Sequence, residues 1–473
     1  MIQMLTACLS WLRHLLGIDR AVGFTVLARS WSIFAGMINI LLIARFLSPT
    51  EQGYYYTFAS LVALQTVFEL GFSFVILQLA AHETAQLQIE STGIISGSEV
   101  AHSRLASVLQ KAILWYTIAA VLLGIALTTA GFTFFSKHRQ PLDTTAWVGP
   151  WICIVIAVMF TFQMDPIFSF LEGCGFVAQV ARMRLSQAVI GSILAWLAFT
   201  HYMGLFAPAG IVAGQAIAGM WFLFSKRHFL LPLIRRKTGK HNIPWRTEMW
   251  PFQWRLAASF LFSYLIIPLF NPFLFASRGA VEAGKMGMST SIAGALGTVA
   301  LAWMSTKAAP FGNLIARGDY KSLDRIFFRT LLQSSVLLLV GIGAVIGTLF
   351  FVALRFQKFA SRILTIPTLT LLFFTIFLTH IFFSETLYLR SHKREPFLPL
   401  NMTIAAVMCI STFVTSRLWG ATGVVIGFFL CGGVLNLIGG TYIFLKYRKE
   451  WHCSHNSVLS SVSEPKELTS KAL

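Results

Sequence analysis

The sequence predicts an all-α polytopic membrane protein of about twelve transmembrane helices in two six-helix lobes, on three observations. Of 473 residues, 56% are hydrophobic and only 12% are charged, against roughly 25% charged in a soluble domain. The mean hydropathy is +0.71. Apolar windows long enough to cross about 30 Å of hydrocarbon as helices recur along almost the whole chain. Features of the first half return in the second: Asn39 has a counterpart in Asn271, and Glu51-Gln52-Gly53 in Glu282-Ala283-Gly284.

The windows run, in order, over Ala21–Phe46, Tyr54–Ala80, Val108–Phe135, Thr145–Leu171, Phe176–His201, Leu205–Ser225, Phe252–Ser277, Lys285–Pro310, Ile326–Leu354, Ile363–Arg390, Leu398–Ser416 and Gly420–Lys446. Apart from the tail, the longest polar interruptions are Ala81–Ser107 and Lys226–Pro251, and the second divides the spans six and six. The expected organisation is a cytoplasmic N-terminus over 1–20, an N-lobe over 21–225, a basic cytoplasmic linker over 226–251, a C-lobe over 252–446, and a disordered cytoplasmic tail over 447–473. That tail is rich in Ser, Lys and Glu beyond Glu450.

A net charge of +19 raises the question of nucleic acid, but the cations alternate between loops instead of forming one patch. One set of loops holds Arg13, Arg20, Arg104, the block from Lys226 to Arg246, then Arg317, Lys321, Arg325, Arg390, Lys393, Lys446 and Arg448. The opposite set is much poorer in Lys and Arg, so the positive-inside rule places both termini in the cytoplasm and excludes a nucleic-acid surface. The polar start through Arg20 leads into a full-length span with no short apolar region and cleavage site, so Ala21–Phe46 is expected to persist as the first helix. The six cysteines show no paired spacing and suggest neither a disulfide framework nor a metal site.

A further correspondence links Gly210-Ile-Val-Ala-Gly214 in the sixth window to Gly423-Val-Val-Ile-Gly427 in the twelfth. Six spans return the chain to its starting side, so duplicated halves would be parallel repeats about an axis along the membrane normal. Such repeats leave a cleft that can open to either face in turn, which favours a transporter over a receptor or an anchor.

The string Phe46-Leu-Ser-Pro-Thr-Glu-Gln-Gly-Tyr54, then Phe68-Glu-Leu-Gly-Phe72 and Ala81-His-Glu83, resembles the polysaccharide-exporter branch of the multidrug/oligosaccharidyl-lipid/polysaccharide flippase superfamily. By motif the resemblance covers the chain to about Trp115; beyond that it rests on helix count and repeat layout. It implies a V-shaped, MATE-like pair of lobes in a bacterial inner membrane. The implied substrate is an undecaprenyl-pyrophosphate-linked oligosaccharide moved from the cytoplasmic to the periplasmic leaflet. The implied partners are membrane lipids and other polysaccharide-assembly proteins.

A lipid pyrophosphate crossing a low-dielectric region needs fixed positive charge. Arg29 is the leading candidate, about 12 Å into the first helix counted from Ala21 at 1.5 Å per residue, and Arg255 could supply a second cation. Glu69 interrupts the second window at a matching depth and could pair with Arg29, holding or competing for the phosphate-binding guanidinium. The alternative reading of Arg29 is an interfacial anchor. Asp165, one residue before Pro166, is a candidate hinge or proton site, or else an ion-pair partner of Arg182 or Arg184. Asn39 and Asn271 complete the expected polar positions of the cavity. Lys307 and Glu385 read as interface residues or local ion pairs, His380 as a packed, hydrogen-bonded histidine before a proton shuttle, and Tyr54–Tyr56 with Trp147 and Trp151 as parts of an interfacial aromatic belt.

No phosphate-binding Gly-x-x-x-x-Gly-Lys-Ser/Thr loop is present in the sequence. Transport without ATP hydrolysis in this chain leaves coupling to a proton or sodium gradient, or passive flipping, with no cofactor expected. A drug/cation antiporter of the same superfamily is the nearest rival and would need an acidic cavity. A membrane sugar-chain polymerase would need a large periplasmic loop, and the loops on that side are short.

Overall fold

The computed structural model describes residues 20–69, 71–89, 95–137, 142–236, 266–392 and 396–462. The apolar windows fold as helices whose ends are set by caps and glycines. Helix α1 spans Arg20–Phe46. Ser48 then opens α2, Pro49–Val62, with a capping box: its hydroxyl accepts from the Glu51 amide at 3.2 Å, and Glu51 Oε2 accepts from the Ser48 amide at 2.7 Å. The Ser-Pro-Thr-Glu string is thus a helix start, with proline where no amide is needed. The second window continues as α3, Gln65–Glu69, and α4, Phe72–Thr84.

A two-stranded antiparallel hairpin, β1 Leu87–Ile89 and β2 Ile95–Gly97, leads into α5, Glu99–Lys137. Helices α6 Thr144–Gly173, α7 Val177–Thr200, α8 Ala207–Ser225 and the short α9 Arg227–Arg235 follow. The remainder comprises α10 Phe270–Arg278, α11 Ala280–Ser305, α12 Ala308–Arg317, α13 Tyr320–Arg355, α14 Gln357–Ala360, α15 Ile366–Arg390, α16 Leu398–Gly427, a π-turn Phe428–Leu435, and α17 Asn436–Val462.

The expected all-α polytopic architecture is the one observed. Among the described residues nine helical runs are long and apolar enough to cross a membrane, or ten when the bent pair Pro49–Glu69 and Phe72–Thr84 counts as one span. One run, Leu398–Trp451, is 54 residues long, about 80 Å at 1.5 Å per residue. It breaks at Gly420, whose φ of 62° and ψ of −144° leave the helical region, and so holds both the eleventh and twelfth windows. The seventh window lies outside the described residues up to 265, and its end is α10.

Contacts divide the chain into two units, Met1–Met288 and Ser289–Leu473, so α10 and the start of α11 pack with the first unit, where the linker boundary had assigned them to the second lobe. The cause is a close crossing of two matching segments. A Cβ on Gly53 would stand 1.9 Å from the Ala280 carbonyl oxygen, and one on Gly284 would stand 2.9 Å from the Gly53 nitrogen. Gln52 Nε2 donates to the Gly284 carbonyl at 2.9 Å. Only glycine allows backbones this close.

Within the first unit α1 packs on α7, α7 on α8, and α6 on α4, α5 and α8. The Gly210–Gly214 pair lets α8 lie against α7: a Cβ on Gly214 would meet Gly191 Cα at 2.6 Å. In the second unit the matching Gly423 and Gly427 lie against Thr415 and Ser411, on the segment before Gly420. The same small-residue spacing therefore serves the same packing in each unit.

Two expectations are corrected. Tyr54, Tyr55, Tyr56, Trp147 and Trp151 are buried and do not form an interfacial belt. Tyr54 stacks on Phe135 and meets Phe275 edge-on, while Trp151 packs on Phe58. Helices α2, α5, α6 and α10 converge there, and four helices bury rings that one helix alone would present to lipid. The C-terminal segment is also not disordered throughout: α17 continues past Lys446 to Val462. Trp451 packs on His392 and Tyr447, extending the second unit's core of Phe327, Tyr388 and Phe444.

Replacing Gly53 by alanine should lower the apparent melting temperature of the purified protein by several degrees. Gly36→Ala, with nothing within 4 Å of the added carbon, should leave it unchanged or raise it, since alanine is favoured over glycine by about 1 kcal/mol in a helix. Equal melting temperatures for the two variants would contradict the crossing.

Candidate functional site

The second span breaks where its acid lies. Glu69 is the last residue of α3, and Gly71 takes the left-handed conformation at φ 66° before α4 begins. A break at bilayer depth frees backbone groups and is tolerated only where protein or a water-lined cavity receives them. Ser73, in the first turn of α4, hydrogen-bonds Glu69, and its Oγ lies 3.0 Å from the Tyr116 hydroxyl on α5. When Ser73 gives its proton to the carboxylate, Tyr116 must be the donor to Ser73, so the three groups form one chain.

Two further helices bring charge to the break. Asp165 on α6 is exposed and interacts electrostatically with Glu69 and with Arg184 on α7. Arg184 also acts on Glu69, while its Nη2 lies 3.2 Å from Glu172 Oε1 at the end of α6. The site thus joins Glu69, Asp165 and Glu172 around one guanidinium, with Ser73 and Tyr116 beside them. It can exchange a proton, because three carboxylates outnumber the fixed positive charge, while among the described residues no three acids are placed to hold a metal ion together.

The structure therefore changes the expected pairing. Arg29 is exposed on α1, and among the described residues it forms no ion pair with Glu69. Helix α1 lies chiefly against α7, so the cation that reaches Glu69 comes from α7. Arg182 and Arg184 are two residues apart, about 200° around the helix, and only Arg184 turns toward the carboxylates. Helix α6 continues through Pro166. Arg255 lies outside the described residues.

Asn39 and Asn271 join helices. Trp196 Nε1 on α7 donates to Asn39 Oδ1 at 2.8 Å. In return Trp31 Nε1 on α1 reaches the Ala188 carbonyl and Ser192 Oγ, each at 3.3 Å. Asn271 on α10 donates to Ser60 Oγ on α2 at 3.0 Å.

In the second unit, His380 is buried and its Nε2 lies 2.9 Å from Ser334 Oγ. Glu385 is buried as well and accepts from Thr441 Oγ1 at 2.9 Å. Sequence reasoning passed over Tyr116, Ser73 and Glu172. Ser73 was recoverable from its spacing of four residues after Glu69; Tyr116 and Glu172 come from other helices and left no local signal.

No family profile matches the chain, and no curated protein matches it in sequence. Solved structures do. An inward-facing multidrug resistance MATE family transporter of the MOP superfamily is 14% identical with a TM-score of 0.56, covering 90% of this chain and 99% of that one. The eukaryotic MATE transporter AtDTX14 is 15% identical with a TM-score of 0.55, over 93% and 98% of the two chains. A mutant of the Vibrio cholerae MATE transporter VcmN is 15% identical, also at 0.55, over 91% and 96%. At this identity the likeness establishes the fold, which is MATE-like over nearly the whole chain.

Trp196→Phe should destabilise the protein by about 1–3 kcal/mol, because it strands Asn39 in a packed interface. Adding Asn39→Leu to that variant should recover part of the loss. Additive losses in a denaturation cycle would show that the two side chains do not depend on each other.

Proposed function

We propose that this protein is a secondary transporter that flips an undecaprenyl-pyrophosphate-linked oligosaccharide across a bacterial inner membrane by alternating access, both termini being cytoplasmic. The observation that carries the anionic substrate is Arg29: it lies well inside α1, is exposed, and has no ion-pair partner among the described residues. A guanidinium so placed suits a pyrophosphate, which it can meet with two parallel N–H donors. The MATE-like fold supports transport, and the motifs around Pro49–Tyr54 and Phe68–Phe72 support the polysaccharide-exporting branch over other users of the fold. Short loops on the expected periplasmic side leave no place for a polymerase site.

The cluster at the broken span supplies the coupling. In this reading Glu69 and Asp165 exchange a proton or a sodium ion with one side of the membrane, and Arg184, anchored by Glu172, offsets part of their negative charge. Ser73 and Tyr116 orient the Glu69 carboxylate. A second reading, a drug/cation antiporter, is favoured by the excess of carboxylates over arginine in this cluster, since an organic cation could take the place of the coupling ion.

The two readings separate in cells whose surface polysaccharide depends on this chain. Arg29→Ala at wild-type protein level should cut export about ten- to hundredfold, the loss expected when a charged hydrogen-bond donor is removed. Arg29→Lys should rescue only in part, because an ammonium lacks the planar fork. Glu69→Gln should leave export detectable but independent of the ion gradient. Normal polysaccharide with Arg29→Ala, together with raised sensitivity to cationic drugs on deletion of the gene, would select the antiporter.

A further inference from the structure

A groove of about 830 Å³ runs along α7 and α8 on the side of the first unit away from Arg184. Arg182, Gln179 and Ser186 line it from α7, and Trp221, Ser225 and Lys226 from the end of α8. Its polarity is graded along both helices. Arg182 and Lys226 stand at one end, while Ile190 and Ile217 line the other, about 12–14 Å deeper at 1.5 Å per residue. The helices run antiparallel, so the two gradients coincide only if the cations belong to the same membrane surface. That surface also carries Arg227, Arg235 and Arg236, the side that the loop charges assign to the cytoplasm.

Among the described residues these cations have no anionic partners: no carboxylate lines the groove, and neither Arg182 nor Lys226 forms an ion pair. The Lys226 ammonium lies 4.5 Å from the centroid of the Phe176 ring, and burial holds it below the usual lysine range. A lysine that has lost water and gained only a ring is poised to gain from an anion. Trp221, 78% exposed, stands beside it on the rim, where an indole belongs at the headgroup level.

We propose that this groove is a binding site for an anionic phospholipid of the cytoplasmic leaflet, with the phosphate between Arg182 and Lys226 and one acyl chain along Ile190 and Ile217. The groove's volume lies within the roughly 300–1,000 Å³ of small-molecule sites, so it holds a headgroup and part of one chain. Basic recesses between transmembrane helices on the cytoplasmic side recognise anionic headgroups in this way. The proposal is independent of the substrate assigned above, because it concerns a lipid that stays in its leaflet.

The test is lipid retention by the full-length protein, purified from nanodiscs of equimolar phosphatidylglycerol and phosphatidylethanolamine and read by native mass spectrometry. Wild type should retain phosphatidylglycerol preferentially. Arg182→Ala and Lys226→Ala should each reduce that preference about fivefold and the double variant more than tenfold, in line with the contribution of one cation near an anionic surface. Lys226→Arg should keep the preference, and Arg417→Ala, a cation of the second unit, should not alter it. Ile217→Trp, which fills the apolar end and spares both cations, should reduce retention of either lipid. An unchanged preference in the double variant, with its melting temperature preserved, would overturn the site. So would retention of polyprenyl pyrophosphate to the exclusion of phosphatidylglycerol, which would make the groove part of the substrate path.

Discussion

The carboxylate of Glu69 at the break of the second span is the constraint around which the first unit is arranged. Neither an ionised group nor an unpaired backbone amide can rely on lipid for a partner. The five polar side chains described near the break therefore come from four helices: Ser73 from α4, Tyr116 from α5, Asp165 and Glu172 from α6, Arg184 from α7. Packing α6 against α4, α5 and α8 is what brings these groups within reach of one another. The broken helix and the half-buried charge are two aspects of one solution, since each would be unfavourable without the neighbours that serve the other.

The same unit owes its extent to glycine. Because Gly53 and Gly284 carry no Cβ, α2 and the start of α11 touch through backbone, with the Gln52 amide reaching the Gly284 carbonyl. That contact, with the Asn271–Ser60 bond and the ring of Phe275 against Tyr54, draws α10 into the first unit. The two residue triplets that match in the sequence are thus the two segments that meet, and a substitution in either would be felt in both.

Much of the architecture was legible in the sequence because hydropathy and helix length act locally. Eleven of the twelve windows coincide with described helices or parts of them, and the Gly-x-x-x-Gly pairs mark real close packing. What hydropathy could not give was direction around a helix axis. It placed Arg29 and Glu69 at similar depths but could not tell that α1 lies chiefly against α7, so it paired Glu69 with Arg29, whereas the guanidinium found acting on Glu69 is that of Arg184. For the same reason the tyrosines and tryptophans near helix ends read as facing headgroups, whereas they face one another. The helix beyond Glu450 was missed because its polar composition resembles a tail, and only Trp451 against His392 shows what holds its beginning. Asn39 and Asn271 drew notice as polar groups in apolar windows; their partners, Trp196 and Ser60, are distant in sequence and had no local signature.

Under the proposed function the ligand is an anionic lipid and the carboxylates serve the coupling ion. The most direct measurement uses the purified protein with a fluorescently labelled short-chain polyprenyl pyrophosphate and, separately, a lipophilic cationic dye, following the anisotropy of each over a range of salt concentrations. The labelled pyrophosphate should bind saturably and weaken as salt screens the guanidinium, and saturating pyrophosphate should not displace the dye. Saturable dye binding that Glu69→Gln or Asp165→Asn abolishes, with no detectable pyrophosphate binding at any salt concentration, would contradict that function.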